Sequence, residues 1–310
     1  MSQPLQHYTG TASGKAIVVG EHYVMDGALA LAMALPTLQT KVTWTQTQHN
    51  PTSLHIGPPA KCPVSTMQTL LDAAQMYELK GQWNVEIESS LPIGRGLGSS
   101  AALCVAALRG LHQGAPNKPN DTLLLHQARE LESLFHGSSS GLDPAAASSE
   151  GALLFKDGQI LRSLEIHPNL ASARWILLDL GNSQSTKTAI DRANKHRVTL
   201  GKATLAGLTK IVTFAANQAA EALEHGQLQD LAEALRKAGA AMQPLGVVDE
   251  AMQQVILTAI DAGALACKQT GAGLGGMLLA LAADEPAAHK VAAACRDRIV
   301  GHWIVPLTTA

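Results

Sequence analysis

The chain has 310 residues, 46% hydrophobic, 3% aromatic and 15% charged, with a formal net charge of -2. That length supports about two domains with a buried core and a cleft, and the near-neutral charge argues against a nucleic-acid or membrane-surface partner. The opening residues, MSQPLQHYTGTAS, are polar without an apolar signal core, and the longest apolar run, residues 28–35, is too short to span a bilayer. Cys62, Cys104, Cys267 and Cys295 stand singly without metal-ligand spacing. They read as reduced, mostly buried thiols of a cytoplasmic protein, and a zinc site is not expected.

In chain order, residues 15–19 read as a buried strand and 28–35 as a second apolar segment after the turn-like Met25-Asp26-Gly27. Residues 42–47 alternate as a half-exposed strand. Residues 50–63, rich in Pro, Gly and Ser, read as a surface loop, 64–79 as a helix and 83–91 as an alternating strand. Helices are expected over 100–112 and 121–136, and strands over 152–155 and 175–180. From Thr186 to about Cys267 the texture is alanine-rich and helical, and the basic run 187–202 reads as a solvated helix face. A strand (277–282), a helix (285–298) and a strand (302–307) close the chain. The class is α+β. A boundary near 181–183 divides a strand-rich domain, 1–182, from a helix-rich one, 183–310.

Four segments could carry chemistry. In LPIGRGLGSSAA (residues 91–102), three glycines lead into paired serines and an apolar run, which describes a loop ending on a helix N-terminus. Glycines permit positive φ and close backbone approach; Ser99 or Ser100 can cap the helix; the free N–H groups then favour an anion such as phosphate. The Gly-Lys-Ser/Thr ending of a Walker loop is absent. In ELESLFHGSSSGLDP (130–144), Leu124, Ala128, Leu131 and Phe135 set the buried stripe. Glu132 lies roughly 60° from its centre and Glu130 roughly 140° away, so Glu132 needs a partner, either a salt bridge or a cation such as Mg²⁺. Asp143 either caps the following Pro144-Ala145-Ala146 turn or orients a substrate hydroxyl.

In GKAIVVGEHYVMDG (14–27), Lys15 begins a buried strand and Gly-Glu-His ends it. The lysine is either a snorkelling edge residue or a cation beside a transferring phosphoryl group. TGAGLGG (270–276) satisfies the GxGxxG spacing, but a helix-like run (261–268) precedes it and a strand-like one follows. The order of a dinucleotide-binding fingerprint is inverted, so a nicotinamide site is rejected and a tight helix-to-strand turn remains.

Taken together and in this order, GKAIVVGEH, LPIGRGLGSSAA and TGAGLGG resemble the motif regions of the GHMP superfamily of small-molecule kinases, named for galactokinase, homoserine kinase, mevalonate kinase and phosphomevalonate kinase. The likeness runs from about Ser13 to the final strand. Within the superfamily the chain is most similar to the mevalonate kinase family. GEHYVMDG is close to that family's GEHAVVHG and lacks the galactokinase GEHTDY, and FHGSSSGLD parallels HGNPSGID with the acid in the same place. The resemblance implies a two-domain GHMP fold with a ferredoxin-like βαβ ending. It also implies phosphoryl transfer from ATP, with Mg²⁺, to the 5-hydroxyl of mevalonate in isoprenoid precursor biosynthesis; a homodimer is compatible with it.

By the same resemblance, Gly94, Gly96, Leu97, Gly98, Ser99, Ser100 and Ala101 surround the ATP phosphates, and Ser100 and Glu132 bind Mg²⁺. Asp143 is the base or orienting carboxylate, with Lys15 stabilising charge beside it. Glu21, His22, Thr186, Gly271 and Ala272 line the substrate pocket. The step from Glu132 to Asp143 matches the family's spacing. Such a site works by in-line positioning and charge neutralisation. Homoserine kinases lack the Asp143-like group and diphosphomevalonate decarboxylases the Lys15-like one. Three departures stand out: HGSSSG for HGNPSG, DPAAAS for DNAVST, and Gln184 where the family has an arginine two residues before its threonine. The alternatives are a kinase of the same fold acting on phosphomevalonate, a mevalonate analogue or a sugar, and an inactive ATP-binding regulator.

Overall fold

The computed structural model describes residues 6–47, 54–56, 82–114, 120–136, 139–183 and 186–307. They form two compact units that are not consecutive blocks of chain. The first comprises Met1–Gly14, Leu35–Ile93 and Gly98–Ser148, and the second Lys15–Ala34, Gly94–Leu97 and Ser149–Ala310. The division falls inside two long strands, β1 (His7–Val19) and β2 (Ala30–Thr47). The two apolar segments expected around 28–35 and 42–47 are therefore one strand.

In the first unit, β3 (Leu54–Ile56) lies parallel to β4 (Gln82–Ser89), and β4 pairs antiparallel with the second half of β2 from Thr40↔Ser89 to Thr47↔Gln82. Residues 54–56, expected within a loop, are thus a strand; the rest of 50–63, with Cys62 and the helix expected over 64–79, lies outside the described residues. Val42, Thr43 and Trp44 are all buried, so this stretch of β2 is not half-exposed. The Trp44 indole N–H donates to Ala107 O at 3.2 Å, on α1 (Ser99–Gln113). That helix is lined with alanines and leucines and is buried from Ala101 to Leu108; each fully buried leucine contributes about 1.5–3 kcal/mol. Two further helices follow, α2 (Asp121–His136) and α3 (Leu142–Ser148).

In the second unit, the first half of β2 pairs antiparallel with β5 (Ala152–Lys156), and β5 with β6 (Gln159–Leu164). A separate sheet is built from β7 (Arg174–Ser183), β8 (Ala266–Thr270), β9 (Gly275–Ala282) and β10 (Gly301–Pro306), in the order β10-β7-β9-β8 with every pair antiparallel. Its helices are α4 (Thr186–His225), α5 (Leu228–Met242), α6 (Glu250–Asp261) and α7 (Glu285–Cys295). Reading only the strands, the order is 4-1-3-2 with helices after the first and third, which is the ferredoxin-like arrangement the resemblance implies. Ile176, Leu178, Leu278 and Ala280 of the sheet share a core with Met252 and Val255 of α6 and Val291 of α7. Gly201, at φ 75° and ψ 160°, is not helical and divides α4 into two helices end to end.

Residues 266–270 belong to β8 rather than to a helix, so TGAGLGG joins two antiparallel strands. A dinucleotide fingerprint still fails, because β9 follows it where that motif opens a helix. β6, QILRSL, has three apolar residues, but they do not alternate and its first five positions are exposed, so no period-2 pattern marks it in the sequence.

Candidate active site

The second unit brings three of the sequence motifs together. Lys15 N–H donates to Leu97 O at 2.9 Å, tying the start of GKAIVVGEH to the end of the glycine loop. The Thr270 hydroxyl accepts from Ile17 N at 2.9 Å and donates to Ile17 O at 3.1 Å. His22 Nε2 lies 2.8 Å from Ala272 O; because a carbonyl only accepts, the ring proton sits on Nε2. Gly96 and Gly271 complete the junction. A Cβ on Gly96 would stand 3.3 Å from Thr270 O, one on Gly271 3.3 Å from Gly96 Cα, and both residues have positive φ. Only glycine satisfies the close approach and the dihedral together.

Charge is concentrated below this junction. Lys15 and Glu21 are each 1% exposed. Lys268 Nζ forms an ion pair with Glu21 and donates to Gln269 O at 2.6 Å. Burial pushes the Glu21 carboxyl above its usual range, against the opposing pull of Lys268 and Lys15. His22 is held below its ordinary value by burial, with Arg197 adding to the effect. Within the glycine loop, Arg95 pairs with Asp179 at 3.4 Å and donates to Gly181 O.

The first unit holds the remaining groups. Leu97 is followed in the chain by Gly98, whose φ of 71° makes it the N-cap of α1 through its backbone alone. Ser99 and Ser100 lie inside the first turn rather than capping it, since a left-handed glycine lets the helix begin one residue earlier. Glu132 is buried at 3% exposure, whereas Glu130 stays 62% exposed, as the helix geometry requires. The Ser139 hydroxyl donates to Glu132 Oε2. The Glu132 charge also helps burial raise the Cys104 thiol. Cys104 stands one turn after Ser100 on the same face of α1. Asp143 is the second residue of α3 and not its cap. Ser139 and Ser140 hydroxyls accept from Gly141 N and Leu142 N, at 3.1 and 3.2 Å, and so supply the turn's capping bonds. Of Thr186 only the backbone is described, at the start of α4; Gln184 lies outside the described residues.

The family comparison decides the class. The profile for the GHMP kinase N-terminal domain matches residues 63–151, and that for the GHMP kinase C-terminal domain matches 219–300, together just over half of the chain. The chain belongs to the GHMP kinases. As a GHMP kinase it uses ATP. A relative named mevalonate kinase from Aeropyrum pernix is 28% identical over 289 residues, 87% of each chain. One of the same name from Methanothermobacter thermautotrophicus is 27% identical over 282 residues, 88% of this chain and 89% of that one. The solved mevalonate kinase of L. major in complex with R-mevalonate matches with a TM-score of 0.84 over 100% of both chains at 23% identity, which establishes the fold.

Two cations of this GHMP kinase escaped the sequence reading. Lys268 lay in a run read as helix; the alternation of Lys268 and Thr270 just before the glycine turn was the available signal, since it puts both on one face of a strand. Arg197 lay in the basic run read as a solvated face, and nothing local marks it.

Proposed function

We propose that this GHMP kinase transfers the γ-phosphate of ATP to the 5-hydroxyl of (R)-mevalonate. The observation that carries the reading is the convergence in one unit of Lys15, Glu21, His22, the loop 94–97 and the turn 270–276, segments separated by most of the chain. The relatives named mevalonate kinase, similar over nearly their whole length, supply the acceptor.

In this reading, residues 1–182 carry nucleotide and catalytic groups and 183–310 form the C-terminal part, a division of roles. Gly94, Gly96, Leu97, Gly98, Ser99, Ser100 and Ala101 surround the ATP phosphates, with the N–H groups of the first turn of α1 as donors. Glu21, His22, Thr186, Gly271 and Ala272 contact the acceptor. Asp143 orients its hydroxyl and takes the proton as the bond to phosphorus forms. Lys15 supplies positive charge toward the transferring group. Ser100 and Glu132 would hold Mg²⁺ through the hard oxygen donors that it prefers. Among the described residues, no group of three or more His, Cys, Asp or Glu offers a competing metal site. Bound Mg²⁺ supplies charge neutralisation on the phosphates. Among the described residues no helix is long and apolar enough to cross a membrane, and we place the enzyme in the cytoplasm.

The test is ADP release by the purified protein with Mg-ATP and, in parallel, (R)-mevalonate, phosphomevalonate, homoserine, galactose or no acceptor. Turnover with mevalonate alone is expected. Turnover only with another acceptor overturns the substrate, and ATP binding without turnover on any of them makes the protein an inactive regulator.

A further inference from the structure

His22 carries a side chain, yet its φ is 56° and its ψ -45°. Such a conformation costs about 1–3 kcal/mol and persists only where the surroundings enforce it. The imidazole is held by Ala272 O at 2.8 Å. The backbone is held by a second group: Arg197 Nη2 donates to His22 O at 2.9 Å. That guanidinium is itself fixed. Its Nε and Nη2 both reach Asp26 Oδ2, at 3.0 and 2.9 Å, and its Nη1 reaches Asn194 Oδ1 at 3.0 Å, one turn earlier on α4. Side-chain exposures of 14% and 20% set the Arg197–Asp26 pair apart from the open ion pairs of the surface. A planar guanidinium can serve three acceptors in one plane, whereas an ammonium cannot hold that geometry.

We propose that Arg197 is a positioning residue: clamped by Asp26 and Asn194, it holds His22 in its left-handed conformation and so keeps the imidazole against the turn 270–276 for the acceptor alcohol. The inference rests on the reading above only in placing the acceptor beside His22. Arg197 acts through His22 and touches no substrate.

Two measurements test it. The first needs no turnover. Long-range ¹⁵N–¹H spectra of the histidine rings, with His22 assigned by its loss in His22→Ala, should show a single Nε2–H tautomer in the wild type and a tautomer mixture in Arg197→Met. The second is steady-state kinetics. Arg197→Met should raise the acceptor KM on the order of tenfold, equivalent to about 1.4 kcal/mol, with the ATP KM unchanged. In a His22→Ala background the same substitution should add nothing. Arg197→Lys should follow Arg197→Met, because charge without the fork is not enough. An unchanged tautomer in Arg197→Met, equal rises in both KM values, or additivity with His22→Ala would each overturn the proposal. If Arg197→Met does not fold, Asp26→Asn loosens the same clamp and is read in the same two ways. Absence of turnover by the wild type with every acceptor would sink the acceptor reading, while the tautomer result would still decide the role of Arg197.

Discussion

Glu21 and Lys268 are 1% and 0% exposed and paired with each other. Removing one partner of such a pair strands a buried charge, at a cost of about 3–5 kcal/mol, whereas removing both together is nearly neutral. Lys268→Met should therefore lower the urea midpoint sharply, and Glu21→Gln/Lys268→Met should recover most of it; a double variant as weak as the single one would show that the pair is not the unit. Asp143→Ala should abolish turnover while leaving ATP affinity within about twofold, since a group that handles the acceptor proton contributes to chemistry rather than to nucleotide binding. Glu132→Gln should raise the Mg²⁺ concentration needed for half-maximal rate, and an unchanged titration would reduce Glu132 to a structural partner of Ser139. The histidines set an acid limit. His22 and His112 are both held by burial below their ordinary 6.5, so the unfolded chain takes up protons first as pH falls. Their contribution is present above 6.5 and is lost progressively below it, toward the depressed folded-state values. Melting temperature should drop between about pH 7 and 5, and His112→Gln should shrink that drop. Part of the site was legible: Lys15, Glu132 and Asp143 stand in recognisable motifs, and helix geometry alone separated buried Glu132 from exposed Glu130. Arg197 and Lys268 were not, because their partners Asp26 and Glu21 lie far away in the chain and only folding pairs them.

At the scale of elements, the glycine loop and the glycine turn constrain each other. Gly96→Ala would force a side chain into φ 84° and into the space against Thr270 O. We expect about 1–3 kcal/mol of lost stability together with a higher ATP KM, while Gly27→Ala, which has positive φ but nothing within 4 Å, should cost stability and leave the ATP KM alone. Comparing the two separates dihedral strain from crowding at the junction. Helix boundaries were readable, with Asp121–His136 matching the expected span, because apolar periodicity and end signals agree there. β8 was misread since ACKQT offers a single short alternation, Lys268 and Thr270, close behind a helical run. β6 was missed because its apolar residues, Ile160, Leu161 and Leu164, do not alternate along the strand.

For the whole molecule, the strand order β10-β7-β9-β8 places β7 in the interior of its sheet, between β10 and β9. A fragment beginning at residue 183 omits nearly all of that strand and exposes the edges of both neighbours. Expressed alone, it should be insoluble or lack cooperative melting, whereas a fragment carrying 149–310 retains the complete sheet. A soluble, cooperatively melting 183–310 would show that β7 is dispensable. The change of texture near 181 was visible in composition, but composition cannot show that the strand before it belongs with the strands after it.

The same interior strand sets a schedule on the ribosome. Trp175 pairs with Leu281 and Ile304 with Ile176, so β7 leaves the exit tunnel long before either neighbour exists. Closing loops that long is entropically slow, and the hydrophobic stretch WILL must wait unpaired while the helices form behind it. Synthesis, rather than the finished fold, is when this kinase is most exposed to aggregation, and slowing translation after residue 183 would prolong that exposure rather than relieve it.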